Sequence, residues 1–257
     1  MSFDTLARHY RWMECVLAGK KLQHCRTLFL NRVNGAQHVL IVGEGNGRFL
    51  IECRRKLPAA RTTIVDASAR MLRAARERLA QRGLDPERVE FVHADALAWK
   101  PEEQAFDLIV THFFLDCFTP EELKQVIANL ARAAAPGAAW LLADFQMPAD
   151  GLRRCRARVI HAMMYAFFRF VTRLPARRLT PPDGFLKELN FVLLERRTIE
   201  WGLLHTDLWM RDGGYPLSLA AETSARSRSC NVMSPRIFPL GSSSNTTINA
   251  VDSISMD

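Results

Sequence analysis

Between positions 38 and 145 the chain alternates short apolar runs with segments of helical periodicity. HVLIVG (38–43), TTIVDAS (62–68), RVEFVHADA (88–96), FDLIVTHFF (106–114) and AAWLLADF (138–145) have the length and apolar content of strands. The VLIV core of the first is continuously apolar, as a strand buried on both faces must be. Ser68 is placed to cap a helix over ARMLRAARERLAQRG, which Gly83 closes. Thr119, Pro120 and Glu122 form a capping box before a helix with Leu123, Val126, Ile127 and Leu130 on one face, stopped by Pro136 and Gly137. Alternation of this kind predicts a parallel sheet with helices on both faces, an α/β class.

Beyond the fifth run the pattern changes. Residues 152–174 read as a helix with Arg153, Arg154, Arg156 and Arg158 at its start and Val159, Met163, Phe167, Phe170 and Leu174 in a stripe. A short helix, GFLKELN, precedes FVLLERRTIEW and LLHTDLWM, which are expected to pair as an antiparallel hairpin at one side of the sheet. Upstream, Asp4 caps a predicted helix carrying Leu6, Tyr10, Met13 and Leu17. With 257 residues, 48% of them hydrophobic, the chain has room for one large domain, assigned to 1–213 with a lid at about 150–190. From 214 to 257 the sequence turns rich in Ser, Asn and Thr and reads as a disordered tail.

Charge and cysteines narrow the function classes. Lys and Arg exceed Asp and Glu by 35 to 27, so an anionic partner such as a phospholipid surface or nucleic acid is compatible with the chain. Six cysteines are scattered without a CxxC pair, which argues against a zinc site or a disulfide framework; no metal is predicted, and a reducing, cytoplasmic compartment is expected. The N-terminus lacks the pattern of a secretory leader. The longest apolar segment, VIHAMMYAFFRFV, contains His161 and Arg169 and falls short of the roughly 20 residues that span a bilayer.

The first strand ends in three alternating glycines, Gly43, Gly45 and Gly47. In an open α/β sheet ligands bind outside the carboxyl ends of the strands, and a bare turn lets backbone approach them closely. Asp66, 19 residues beyond Gly47 at the end of the second strand, is spaced to accept hydrogen bonds from ribose hydroxyls, so a nucleotide-like ligand is implied. From Gly45 the chain reads G-N-G-R-F-L, which is not the dinucleotide fingerprint, and the loop holds no GK[ST] for a P-loop.

GxGxG after a strand, with an acid closing the next one, resembles class I S-adenosylmethionine-dependent methyltransferases over residues 1 to about 212, and loosely, at FDTLARHYRWME, the quinone-type C-methyltransferases. The resemblance implies a Rossmann-like, seven-stranded, mostly parallel sheet, with an antiparallel C-terminal β-hairpin and a helical lid after strand 5. It places Gly43, Glu44, Gly45 and Gly47 beside the amino-acid portion of S-adenosylmethionine, and Asp66 with Ala67 at the ribose. Met71 would cover the adenine, Asp95 and Ala96 of HADA would meet its amino group and edge, and Thr111 and His112 would border methyl transfer. The family usually carries an acid two residues before the first glycine; here Ile41 stands there, and Glu44 is the available substitute.

The implied reaction is methyl transfer to a small, apolar or aromatic acceptor at O, C or N. His112 is the first choice of base, since an imidazole is largely neutral at pH 7, and Asp116 the second. Cys117 lacks a preceding proline and no NPPY-like sequence occurs, which weakens a nucleic-acid acceptor. Two other readings stay open: a membrane-surface phospholipid or lipid-quinol methyltransferase that contacts lipid through 152–174, and a non-catalytic regulatory protein of the same fold. The oligomeric state is left open.

Overall fold

The computed structural model describes residues 19–148, 151–172 and 179–213. Helix α1 (Gly19–Thr27) leads into β1 (His38–Val42), α2 (Arg48–Lys56), β2 (Arg61–Asp66), α3 (Ala69–Gln81) and β3 (Val89–His93). Then come β4 (Phe106–His112), α4 (Pro120–Ala133), β5 (Ala134–Phe145), α5 (Gly151–Thr172), α6 (Asp183–Glu188), β6 (Phe191–Ile199) and β7 (Leu204–Arg211). One seven-stranded sheet results, in the order β3-β2-β1-β4-β5-β7-β6. The first five strands run parallel, and β7 is antiparallel to β5 and β6, as the hairpin reading required. Strand order reverses between β1 and β4, which opens a crevice at their carboxyl ends.

β1 explains the two-layer packing. Val39 and Ile41 join Phe49, Leu72 and Leu79 of α2 and α3 on one face, while Leu40 and Val42 join Leu123, Val126, Ile127 and Leu130 of α4 on the other. All four strand residues are essentially fully buried, each contributing about 1.5–3 kcal/mol of transfer free energy. The helix starts behave as read: Ser68 accepts from the Met71 amide at 3.2 Å, and Thr119 and Glu122 exchange both bonds of the capping box. A third apolar cluster lies toward the carboxyl end of β5, formed by Leu22 and Cys25 of α1, Ala143 and Phe145 of β5, Ala157 of α5, and Leu203 and Leu204 at the start of β7.

Two details depart from the sequence reading. Helix α2 was not expected, because its apolar residues Phe49, Leu50, Ile51 and Cys53 are nearly contiguous and its N-cap, Gly47, has no side chain. Pro136 and Gly137 do not separate α4 from β5; the helix ends at Ala133 and the strand has already begun at Ala134. Between the pairs Phe106–Ala134 and Leu108–Ala139, β5 uses five residues against two of β4, so the proline and the left-handed Gly137 (φ 73°) form an irregularity inside the strand. The predicted helix after Asp4, the tail from 214, and the side chains of 163–172 in the α5 stripe lie outside the described residues.

Candidate active site

The three glycines of the turn all have positive φ, at 69°, 70° and 80°, but for different spatial reasons. A Cβ on Gly43 would collide with the Phe114 ring, and one on Gly47 would stand 2.8 Å from the Ala75 Cα of α3. A Cβ on Gly45 would meet nothing within 4 Å. Gly43 and Gly47 are thus bare for packing, and Gly45 alone leaves open space above its backbone. The Gly45 amide donates to Asp66 Oδ2 at 3.1 Å, the Ser68 amide donates to Asp66 Oδ1 at 2.8 Å, and Arg78 Nε donates to the Asn46 carbonyl at 2.8 Å. Asp66 therefore ties the turn to the end of β2.

A cavity of about 100 Å³ opens at this point. Of the residues anticipated for the cofactor, Gly43, Gly45, Asp66, Ala67, Met71, Asp95 and Ala96 line it, and Phe113, Phe114, Cys117 and Phe118 close it. A wider cleft of about 870 Å³, among His38, Arg61 and Glu102, lies at the amino ends of the strands, away from the turn. Phe113 sits at φ 54°, costly for a bulky residue, with its amide bonded to the Ala143 carbonyl at 2.7 Å. That turn carries the chain from β4 into the cavity wall.

Glu44, Gly47 and Thr111 do not line the cavity. Glu44 Oε1 accepts from the Leu50 amide at 2.9 Å, so it caps α2 in place of the missing N-cap side chain. Burial pushes its pKa up to about 7, against the Leu50 and Phe49 amides and Arg26. Ile41, in the position of the usual acid, is packed in the core. Thr111 is buried and accepts from Trp140 Nε1 at 2.8 Å, on the α4 side of the sheet.

His112 points to the other side. It is 7% exposed, lies edge-on to Phe49 with centroids 4.6 Å apart, and its Nδ1 has no hydrogen-bond partner among the described residues. Burial, reinforced by Arg26, holds its pKa well below the ordinary imidazole value, so the ring is neutral at pH 7. Asp116 follows in a short 3₁₀ turn, buried, accepting from Cys117 Sγ at 3.5 Å while its amide donates to Asp144 Oδ2 at 3.2 Å. Burial pushes Asp116 up to about 6, and burial together with Asp116 pushes Asp144 well above the carboxylate range. Burial and these acids raise Cys117 too, which keeps it a thiol.

Sequence reasoning missed the polar groups of β5 and β7. Asp207, fully buried, accepts from Arg196 Nε at 2.7 Å, His205 Nδ1 at 3.0 Å and Trp209 Nε1 at 3.2 Å. Burial alone would raise its pKa, but Arg196 and His205 bring it below the usual range. His205 pairs with Asp144 across the two strands, so the network adjoins the Asp144–Asp116 pair. Three consecutive polar residues in an otherwise apolar run, His205, Thr206 and Asp207 in LLHTDLWM, were the available signal.

A family model described as a methyltransferase domain matches residues 39–137. That span covers the glycine turn, Asp66 and the capped helix α4. Over residues 39–137 the chain thus matches a methyltransferase domain, in line with its resemblance to class I S-adenosylmethionine-dependent methyltransferases. The ubiquinone/menaquinone biosynthesis C-methyltransferase of Pseudomonas putida (strain GB-1) is 28% identical over 175 residues, 67% of this chain and 66% of the relative, so the match spans just under two thirds of the relative's length. An O-methyltransferase family protein from Burkholderia thailandensis superposes with a TM-score of 0.63 at 20% identity, covering 81% of this chain and 60% of that one. The 1,6-didemethyltoxoflavin-N1-methyltransferase of the same organism, solved with 1,6-didemethyltoxoflavin and S-adenosylhomocysteine, gives 0.59 at 17% identity, with coverages of 81% and 85%. These structures share the methyltransferase domain's fold. Among its described residues no helix is long and apolar enough to cross a membrane.

Proposed function

We propose that the protein transfers a methyl group from S-adenosylmethionine to a small, apolar or aromatic acceptor. The observation that carries this reading is the convergence of the open backbone of Gly45 and the Asp66 carboxylate on one cavity that also presents Met71, Asp95 and Ala96. When bound, S-adenosylmethionine supplies an already electrophilic methyl group. The chain's part is to bind, orient and keep water out. Asp66 holds the ribose hydroxyls, Asp95 the adenine amino group, Met71 and Ala96 flank the ring, and the turn carries the amino-acid portion. Phe113, Phe114 and Phe118 form a dry wall between this cavity and the acceptor.

His112 takes the acceptor's proton at Nδ1, supported by its neutrality and its unpaired nitrogen. The decisive experiment combines calorimetry of S-adenosylmethionine with a methyl-donor assay against pooled phenols, quinols, amines and lipids, read by mass spectrometry. Absence of cofactor binding would favour the non-catalytic reading. With an acceptor in hand, His112→Gln should lower turnover by about 10² to 10⁴-fold with cofactor affinity unchanged. Because the lowered pKa keeps His112 in its base form, the wild-type rate should be flat above pH 6.5 as far as this group is concerned. Near-normal turnover of His112→Gln would remove the base.

A second reading, action at a lipid surface, is supported by α5. Leu152 is 89% and Val159 59% exposed, two turns apart, among the exposed Arg153, Arg154, Arg156 and Arg158. Arg156 also lies over the exposed Trp201 ring at 5.6 Å. Co-sedimentation with anionic vesicles, lost in Leu152→Glu/Val159→Glu, would establish it.

A further inference from the structure

Buried polar groups in folded proteins are paired, so each exception calls for an explanation. His161 of α5 is 4% exposed, and neither Nδ1 nor Nε2 has a hydrogen-bond partner among the described residues. Its ring meets Phe145 edge to face with centroids 5.9 Å apart. Phe145 meets Phe113 at 5.4 Å, and Phe113 is a wall of the cavity at the glycine turn. Ala157 and Ile160 belong to the same apolar cluster, so Ala157, Ile160 and His161 form the inward face of α5.

His112 stands on this side of the sheet as well. It pairs with Ala143, two residues before Phe145 and on the same face of β5, and it is the other buried imidazole with an unpaired nitrogen among the described residues. Two imidazoles with unpaired nitrogens thus lie on one side of the sheet, His161 against Phe145 and His112 against Phe49. Simple packing at position 161 would be served better by Leu or Phe, which leave no polar atom unpaired.

We propose that His161 is an acceptor-recognition residue, whose ring hydrogen-bonds a hydroxyl or carbonyl oxygen of an aromatic acceptor lying against Phe145 and Phe113. A neutral imidazole donates through one nitrogen and accepts through the other, which suits an uncharged oxygen; a carboxylate or phosphate would call for a guanidinium fork. Burial lowers the pKa of His161 and keeps it in that neutral form. That the bound molecule is a methyl acceptor rests on the methyltransferase reading, whereas the oxygen-binding site does not.

The test uses the full chain with 2-naphthol and naphthalene as probes, followed by calorimetry and by NMR of the ¹³C-labelled histidine rings. The wild type should bind 2-naphthol about tenfold or more tightly than naphthalene and shift the His161 Cε1 resonance. In His161→Phe the two probes should bind about equally, with S-adenosylmethionine affinity unchanged. A wild-type ratio near one, a preference that survives in His161→Phe, or binding of neither probe overturns the proposal. Should His161→Phe not fold, the resonance shift in the wild type decides. A His161-dependent preference in a protein that fails to bind S-adenosylmethionine would remove the methyltransferase reading and leave the oxygen site standing.

Discussion

At the carboxyl ends of β1 and β2 polar contacts are made by backbone: the Gly45 and Ser68 amides meet one carboxylate, and Arg78 holds the Asn46 carbonyl. At the ends of β4, β5 and β7 they are made by buried side chains, with Asp116, Asp144, His205 and Asp207 all at 7% exposure or less. Backbone donors are fixed by the turn and leave open space above Gly45, and the one acid of the turn whose pKa burial raises, Glu44, caps α2. Burying these acids costs desolvation and raises the pKa values of Asp116 and Asp144, which is the price of placing proton-handling groups beside an apolar wall. On the proposed reading, the difference separates a region that holds the cofactor by shape from one that handles protons.

The contrast breaks most visibly at Asp207. Asp207→Ala would leave the Arg196 guanidinium, His205 and Trp209 without their common acceptor, and should cost about 3 kcal/mol of stability by denaturant unfolding. Gly47→Ala should follow, at about 2 kcal/mol, since it combines a left-handed φ with a Cβ 2.8 Å from the Ala75 backbone. Gly45→Ala meets open space, so its stability loss should be about 1 kcal/mol and its main effect weaker S-adenosylmethionine binding. Equal thermal shifts for the two glycine variants would dissolve the distinction between a packing glycine and a ligand-facing one.

Asp66→Ala sharpens the same line from the other side. Loss of hydrogen bonds to a charged acceptor should weaken S-adenosylmethionine at least about tenfold by calorimetry. With two amides of the turn and of α3's start bound to that carboxylate, a stability loss of about 1 kcal/mol is expected as well. A stability loss exceeding that of Asp207→Ala would mean that the first region, too, is held by buried charge.

This division also explains what the sequence could tell. The glycine turn, Asp66, Ser68 and the Thr119 capping box are patterns of near neighbours, and they sit in the structure where periodicity put them. Asp144 and Asp207 meet only because β7 folds back antiparallel on β5 in a register that no local pattern records. Arg26 and His161 reach this end of the sheet from helices on either side of the motif region. Thr111 and His112 part for a simpler reason: successive residues of a strand face opposite sides, and Thr111 meets Trp140. The strand alternation was enough to see this.

The effect most diagnostic of the proton-holding region depends on pH. Burial pushes Asp116 up to about 6, while in the unfolded chain an aspartate titrates near 3.9. Between about pH 4 and pH 6 the native state therefore keeps a proton that the unfolded state has released. Stability must fall as pH rises through that window, and above it the full cost of the buried charge is present. Asp116→Asn carries no charge and escapes this cost, and it keeps an acceptor oxygen for Cys117 Sγ. The variant should match the wild type near pH 4 and exceed it by roughly 1–2 kcal/mol at pH 7, read by urea unfolding at both values. A difference independent of pH would show that Asp116 titrates as a solvated carboxylate. In that case the carboxyl end of β4 and β5 would hold a ligand by shape, as the β1–β2 end does, and no longer store protons.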